Sequence, residues 1–176
     1  RDDDMLITGR RHGFEFDWEV GYDDEGRIVG VTADLIANAG FSADLTPPVL
    51  TRALCHFDNA YWLPALALHG WPVRTNTQSN TAFRGFGGPQ GALAIEIIVD
   101  DIARALGRDP LAIRQANFYG TSERNVTPYG QCVEDNIIAP LVDQPAASAD
   151  YAARRAGVAA FNAGSEVLKR GIALTP

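Results

Sequence analysis

Phe14, Phe16, Trp18, Val20 and Tyr22 alternate with Glu15, Asp17, Glu19 and Gly21. A period of two marks a strand with one buried and one wet face. Asp23-Asp24-Glu25-Gly26 is turn chemistry, with Gly26 free to take a positive φ. Alternation resumes at Val29, Val31, Ala33, Leu35, Ala37 and Ala39, which predicts two long antiparallel strands joined by a short turn.

Beyond them the period changes. Thr46-Pro47-Pro48 opens a helix, with Thr46 as N-cap and Pro47 in the first turn, continuing from Val49 to His56. Leu66 to Thr77 is β-rich, with Trp71 and Val73 predicted to point inward. Leu93, Ile97, Ile98, Ile102 and Leu106 share one helical face between Gly91 and Leu106, and Gly107 suits a left-handed cap. Asp109-Pro110 starts another helix carrying Leu111, Ile113, Ala116 and Phe118. Residues 120–131 read as loop, and a last helix is expected from about Ser148 to Phe161. Strands come first and helices later, so the expected class is α+β: antiparallel strands followed by packed helices.

Composition narrows the function classes. The chain has 176 residues, 46% hydrophobic and 21% charged, enough for one core and too balanced for global disorder. A net charge of −7 with no basic face argues against nucleic acid as a partner and disfavours anionic membranes. No apolar run approaches the ~20 residues of a spanning helix. Cys55 and Cys132 lack a metal-ligand spacing and suggest two reduced thiols in a cytoplasmic protein. His12, His56 and His69 lie far apart and read as surface or satisfied core residues. Asp2 to Asp4 reads as a solvated turn, and Trp18, Trp62 and Trp71 as core or interface anchors. The chain opens on Arg1 and stops at Leu174-Thr175-Pro176, and both ends read as cut from a longer protein.

Chemistry concentrates in Asn76 to Gln90, NTQSNTAFRGFGGPQ. Gly85, Gly87, Gly88 and Gly91 precede or open a helix, where freed backbone N–H groups and the helix dipole favour an anion or a polar cofactor atom. Gln90 stands where a dinucleotide fingerprint needs Gly, and the Gly-Lys-Ser/Thr run of a P-loop is absent. Phe86 has a glycine on each side, so its ring can face a flat ligand with little steric competition. Asn76 and Asn80 are candidates for hydrogen-bonding the loop that carries Arg84 and Phe86. A bare glycine loop can also be only a tight turn.

The run TRALCHFDNAYWLPALALHGWPVRTNTQSNTAFRGFGGPQ, residues 51 to 90, resembles the molybdenum hydroxylase family, and within it the xanthine dehydrogenases. RDDDMLITGRRH at 1 to 12, QANFYG at 115 to 120 and DYAARR at 150 to 155 also fit. The resemblance implies a fragment of a larger molybdopterin-binding domain, with a molybdenum–molybdopterin cofactor here and iron–sulfur clusters and FAD elsewhere in an oligomeric parent. It implies that Arg52 holds a purine and that Phe86 stacks on it. It also implies that Arg84, chiefly through its backbone, and Gly85 meet the cofactor near the metal. The family's base is a glutamate expected beyond this stretch, so no catalytic residue is assigned within it and the isolated piece is expected to be inactive.

The implied parent activity is hydroxylation of hypoxanthine and xanthine to urate. Two alternatives stay open: a molybdenum hydroxylase acting on aldehydes or another N-heterocycle, and a non-catalytic scaffold or binding module. The expected organisation is one partial domain over 1–176, strand-rich to residue 80, a cofactor and substrate loop at 81–91, and helical from 92.

Overall fold

The computed structural model describes residues 2–176, apart from the side chain of Met5. The class is α+β. Strands β1 (Phe14–Tyr22), β2 (Ile28–Gly40) and β3 (Leu66–Arg74) form one sheet in the order β1-β2-β3. β1 and β2 pair antiparallel, as the alternation predicts, whereas β3 runs parallel to β2. The sheet is therefore mixed, because a helix intervenes between β2 and β3 and returns the chain to the same end.

Helices α1 (Asp2–Ile7), α2 (Thr46–Cys55), α3 (Gly88–Leu106), α4 (Pro110–Asn117), α5 (Ile138–Ser148) and α6 (Tyr151–Gly164) complete the fold. The core joins the inward residues of β2, Val31, Ala33, Leu35 and Ala37, to Leu50 and Ala53 of α2 and Ile95, Ile98, Val99 and Ile102 of α3. β1 lies at an edge, and its inward residues Phe14, Phe16, Trp18 and Val20 are only half-buried.

Several expectations shift. Val29 is exposed and Ile28 buried, because Tyr22 pairs with Ile28 while Gly21 pairs with Gly30. The extra residue is a bulge that swaps faces at the start of β2. Trp71 and Val73 point outward: Leu66, Leu68 and Gly70 take the inner face of β3, and the indole N–H of Trp71 donates to Asp34 at 2.7 Å. Leu93 is likewise exposed, since the buried stripe of α3 runs through Ala94, Ile95, Ile98 and Val99. Asp2 to Asp4 form the first turn of the short helix α1, where carboxylates complement the helix dipole.

α4 starts as predicted, with Asp109 Oδ1 accepting from the Leu111 N–H at 2.8 Å. α5 has no counterpart among the sequence expectations, and α6 begins three residues later than expected. Asp150 breaks the two helices apart by adopting a left-handed conformation, φ 50°. Pro145 inside α5 further masks a helical reading.

Candidate functional site

The turn at Arg84–Gly87 rests on two short backbone bonds, Phe86 N–H to Phe83 C=O at 2.8 Å and Gly88 N–H to Gly85 C=O at 2.9 Å. Gly85, Phe86 and Gly87 all have positive φ, 90°, 51° and 103°. Two are glycines and pay little for it. Phe86 does not share that freedom, and a left-handed aromatic costs about 1–2 kcal/mol. Strain of this kind persists only where the surroundings dictate it.

What dictates it is the approach of two backbones. A Cβ on Gly87 would lie 2.0 Å from the Val49 carbonyl oxygen, and one on Gly91 2.1 Å from that of Ala53. The start of α3 therefore rides directly on α2, with no side chain between them. Arg52 lies on α2 between Val49 and Ala53, so the helix carrying Arg52 packs against the turn carrying Arg84, Gly85 and Phe86. Arg52, Arg84 and Gly85 are exposed and Phe86 is half-buried. α3 starts at Gly88, three residues earlier than predicted, and its first turn spends its own donors: the Gly88, Gln90 and Gly91 N–H groups bond to the Gly85 and Gly87 carbonyls, and Pro89 has none.

A neighbouring buried cluster went unnoticed in the sequence. The Arg11 guanidinium stacks over the Phe83 ring, 4.6 Å from its centroid, and its Nη2 donates to the Arg84 carbonyl. His12 is buried, with Nε2 2.8 Å from the Thr46 hydroxyl. Thr46 therefore spends its hydroxyl on His12 and does not cap α2, whose N-cap is Leu45. Gln90 Nε2 donates to the His12 carbonyl at 3.3 Å. Burial pulls the His12 pKa below the ordinary histidine value, against a weaker upward pull from Asp44. The local signal was available, Arg-Arg-His just before an alternating strand, but nothing in its spacing tied it to residues 83–90.

Asn80 binds elsewhere than expected. Its side chain donates to the Asn38 carbonyl at the end of β2, so it anchors the segment before the turn and not the turn itself. His56 and His69 are exposed, and the His56 ring lies 3.5 Å from where a Gly88 Cβ would stand. Cys55 and Cys132 are free thiols. Both line a cleft of about 510 Å³ with Asp58, Tyr119 and Tyr129, and that cleft contains none of the four predicted site residues.

Three buried polar atoms here have no partner among the described residues: Arg11 Nη1, His12 Nδ1 and Gln90 Oε1. Buried polar groups are almost always satisfied, so a cluster of three beside a glycine turn fits a polar ligand or a neighbouring chain segment. The donor set, the backbone N–H groups of the turn plus a guanidinium, suits the anionic groups of a molybdopterin cofactor. Among the described residues no three metal-ligating side chains come together. Among the same residues no helix is long and apolar enough to cross a membrane.

The chain is similar to known proteins in sequence and in fold. A xanthine dehydrogenase of Drosophila subobscura is 45% identical over 176 residues, covering 100% of this chain and 13% of that protein. A nicotinate hydroxylase of Emericella nidulans is 41% identical over 177 residues, again 100% of this chain and 13% of the other. An aldehyde oxidoreductase from Desulfovibrio gigas superposes with a TM-score of 0.75 at 27% identity, over 85% of this chain and 16% of that one. The chain thus spans about an eighth of the length of these curated relatives. The profile of the molybdopterin cofactor-binding domain matches residues 1–118, and the chain belongs to that family.

Proposed function

We propose that this chain is one wall of the active site in a molybdenum hydroxylase that oxidises purines, hypoxanthine and xanthine to urate. The observation that supports the reading is the seating of Gly87 and Gly91 on the α2 backbone, which packs the helix carrying Arg52 against the turn carrying Phe86, beside unsatisfied polar atoms. In this reading residues 1–176 are one partial domain, with 81–91 as the cofactor and substrate loop between a strand-rich part and a helical part.

Each residue has a role its chemistry can perform. The Phe86 ring presents a face to a flat heterocycle and leaves the substrate's edges free for hydrogen bonding. Arg52 places a permanent positive charge beside the ring, where negative charge accumulates as the purine carbon is attacked. The Arg84 and Gly85 backbone meets the cofactor close to the metal. When bound, the molybdenum–pterin group supplies the oxygen-transfer and two-electron chemistry of hydroxylation. The general base, FAD and iron–sulfur clusters belong to other parts of the parent, which we place in the cytoplasm as an oligomer.

Turnover by the full-length protein tests the substrate. Hypoxanthine and xanthine should be oxidised faster than aldehydes or nicotinate, and Arg52→Met should raise the purine barrier by more than ~2 kcal/mol while sparing aldehydes. Equal losses on both substrate classes would make Arg52 structural. The second reading, hydroxylation of another N-heterocycle, is favoured by the 41% identity to a nicotinate hydroxylase, and preferential nicotinate turnover would establish it. A full-length protein that acquires no molybdenum in a cofactor-competent host would instead be a scaffold.

A further inference from the structure

Arg11 does more than fill space beside the turn. It reaches it because Gly9 and Arg10 are zipped to the segment before residue 83. The Thr81 N–H donates to the Arg10 carbonyl at 3.0 Å, and a Cβ on Gly9 would lie 2.6 Å from the Ser79 carbonyl oxygen. That segment is in turn tied to β2, through Asn80 N–H to Ala39 C=O at 2.9 Å and the Asn80 side chain to Asn38 C=O at 2.8 Å. The guanidinium is thus delivered by the sheet, and it grips the turn at two points: the Phe83 ring below it and the Arg84 carbonyl.

The second grip has a consequence for the next atom along the chain. Among the described residues no peptide bond is cis, and in a trans peptide the C=O and the following N–H point in opposite directions. With the Arg84 carbonyl drawn onto Arg11, the Gly85 N–H must face away from it, and among the described residues nothing accepts from that N–H. Glycine at 85, with φ 90°, would otherwise let the peptide flip at little cost. Arg11 Nη1 stays buried without a partner among the described residues and 3.8 Å from where a Gly85 Cβ would stand, which an arginine free to swing into water would not tolerate.

We propose that Arg11 is a positioning residue that locks the Arg84–Gly85 peptide so that the Gly85 N–H is presented as a donor to an oxygen of the bound cofactor or substrate. The role rests on the reading that residues 84–86 meet those ligands. Arg11 acts through the turn and touches neither the purine nor the metal. The guanidinium pairs with a carbonyl and a ring and, among the described residues, with no carboxylate. A neutral acceptor and a ring face make a geometric clamp, not an ion pair.

Arg11→Met and Arg11→Lys in the full-length protein test this, with hydrogen–deuterium exchange of residues 83–88 measured on the cofactor-free form. Arg11→Met should speed exchange of the Phe86 and Gly88 amides at least about fivefold and leave the remaining core unchanged. In the loaded protein the same variant should lower kcat about tenfold or more with KM within about twofold. Arg11→Lys, which can still donate to the carbonyl, should recover most of the protection. Unchanged exchange in Arg11→Met overturns the inference, and so does failure of both variants to accumulate as folded protein, which would make Arg11 a general fold residue. Phe86→Ala separates the two readings. If that variant and Arg52→Met leave KM and kcat untouched while Arg11→Met still speeds exchange, the site reading fails and the clamp stands.

Discussion

Two buried polar regions flank α3, and they are built on opposite terms. At its N-terminal end lie Arg11, His12 and Gln90, each with one buried atom lacking a partner, under a turn of three left-handed residues. Toward its other end, Arg114 is buried and donates to Glu96 and Asp100 at 2.8 Å, and Glu96 also accepts from Asn59 and from Tyr61, whose hydroxyl pKa is driven well up by burial and by that bond. Asn117, 1% exposed, accepts from the Ile28 N–H and donates to the Gly26 and Ile113 carbonyls. The second region closes its own hydrogen bonds; the first leaves them open. Folding alone rewards the closed kind, since an unmet buried donor or acceptor is a cost. In the proposed reading, the open region is where a ligand or another chain segment supplies what is missing.

Substitutions on each side can break that contrast. Arg114→Met leaves the partly buried Glu96 with Asn59 and Tyr61 but without its cation and should cost about 3 kcal/mol or more, seen as a lower unfolding midpoint of the full-length protein. Pairing it with Glu96→Leu should recover most of the loss, whereas no recovery would mean that Arg114 acts by packing. Gly87→Ala follows at about 3 kcal/mol or more, because its methyl collides with the Val49 carbonyl oxygen at a left-handed φ, and bound molybdenum should fall with it. A Gly87→Ala protein with wild-type stability and metal content would mean the two backbones can separate freely. Gln90→Met removes an unmet acceptor together with the donor to the His12 carbonyl, and should cost about 1–2 kcal/mol while lowering cofactor retention. A loss as large as that for Arg114→Met would make the open region structural.

The smallest effect is a pH dependence. The folded-state pKa of His12 is lowered, so the unfolded chain takes up its proton first as pH falls. Stability should therefore decline below about pH 6.5, level off once the folded pKa is passed, and be unaffected above neutrality. His12→Gln should flatten that slope in acid-unfolding titrations of the full-length protein; an unchanged slope would place the titrating group elsewhere.

Legibility in the sequence follows interaction range. The β1–β2 hairpin, the Asp109 cap and the Gly107 helix stop depend on neighbours a few residues away, and each stands where its local pattern put it. The outward turn of Trp71 and the exposure of Val29 were not readable, because burial on a strand depends on which face meets α2 and on a single-residue bulge. α5 was hidden by Pro145, and its separation from α6 by an aspartate in a conformation that glycine usually marks. Within the candidate site, Arg84, Gly85 and Phe86 announced themselves through glycine spacing, and Arg52 entered only through resemblance.

By itself, then, the chain's order of residues determined the α+β class, the glycine turn and the family. All three rest on contacts close in sequence or on a long string of matching residues. Only the tertiary structure decided that α3 sits bare-backed on α2, that Arg11 reaches across 73 positions to the Arg84 carbonyl, and that three polar atoms are left open beside it. Those outcomes depend on the packing of distant segments, where steric fit and hydrogen-bond satisfaction act on neighbours that the linear order does not reveal.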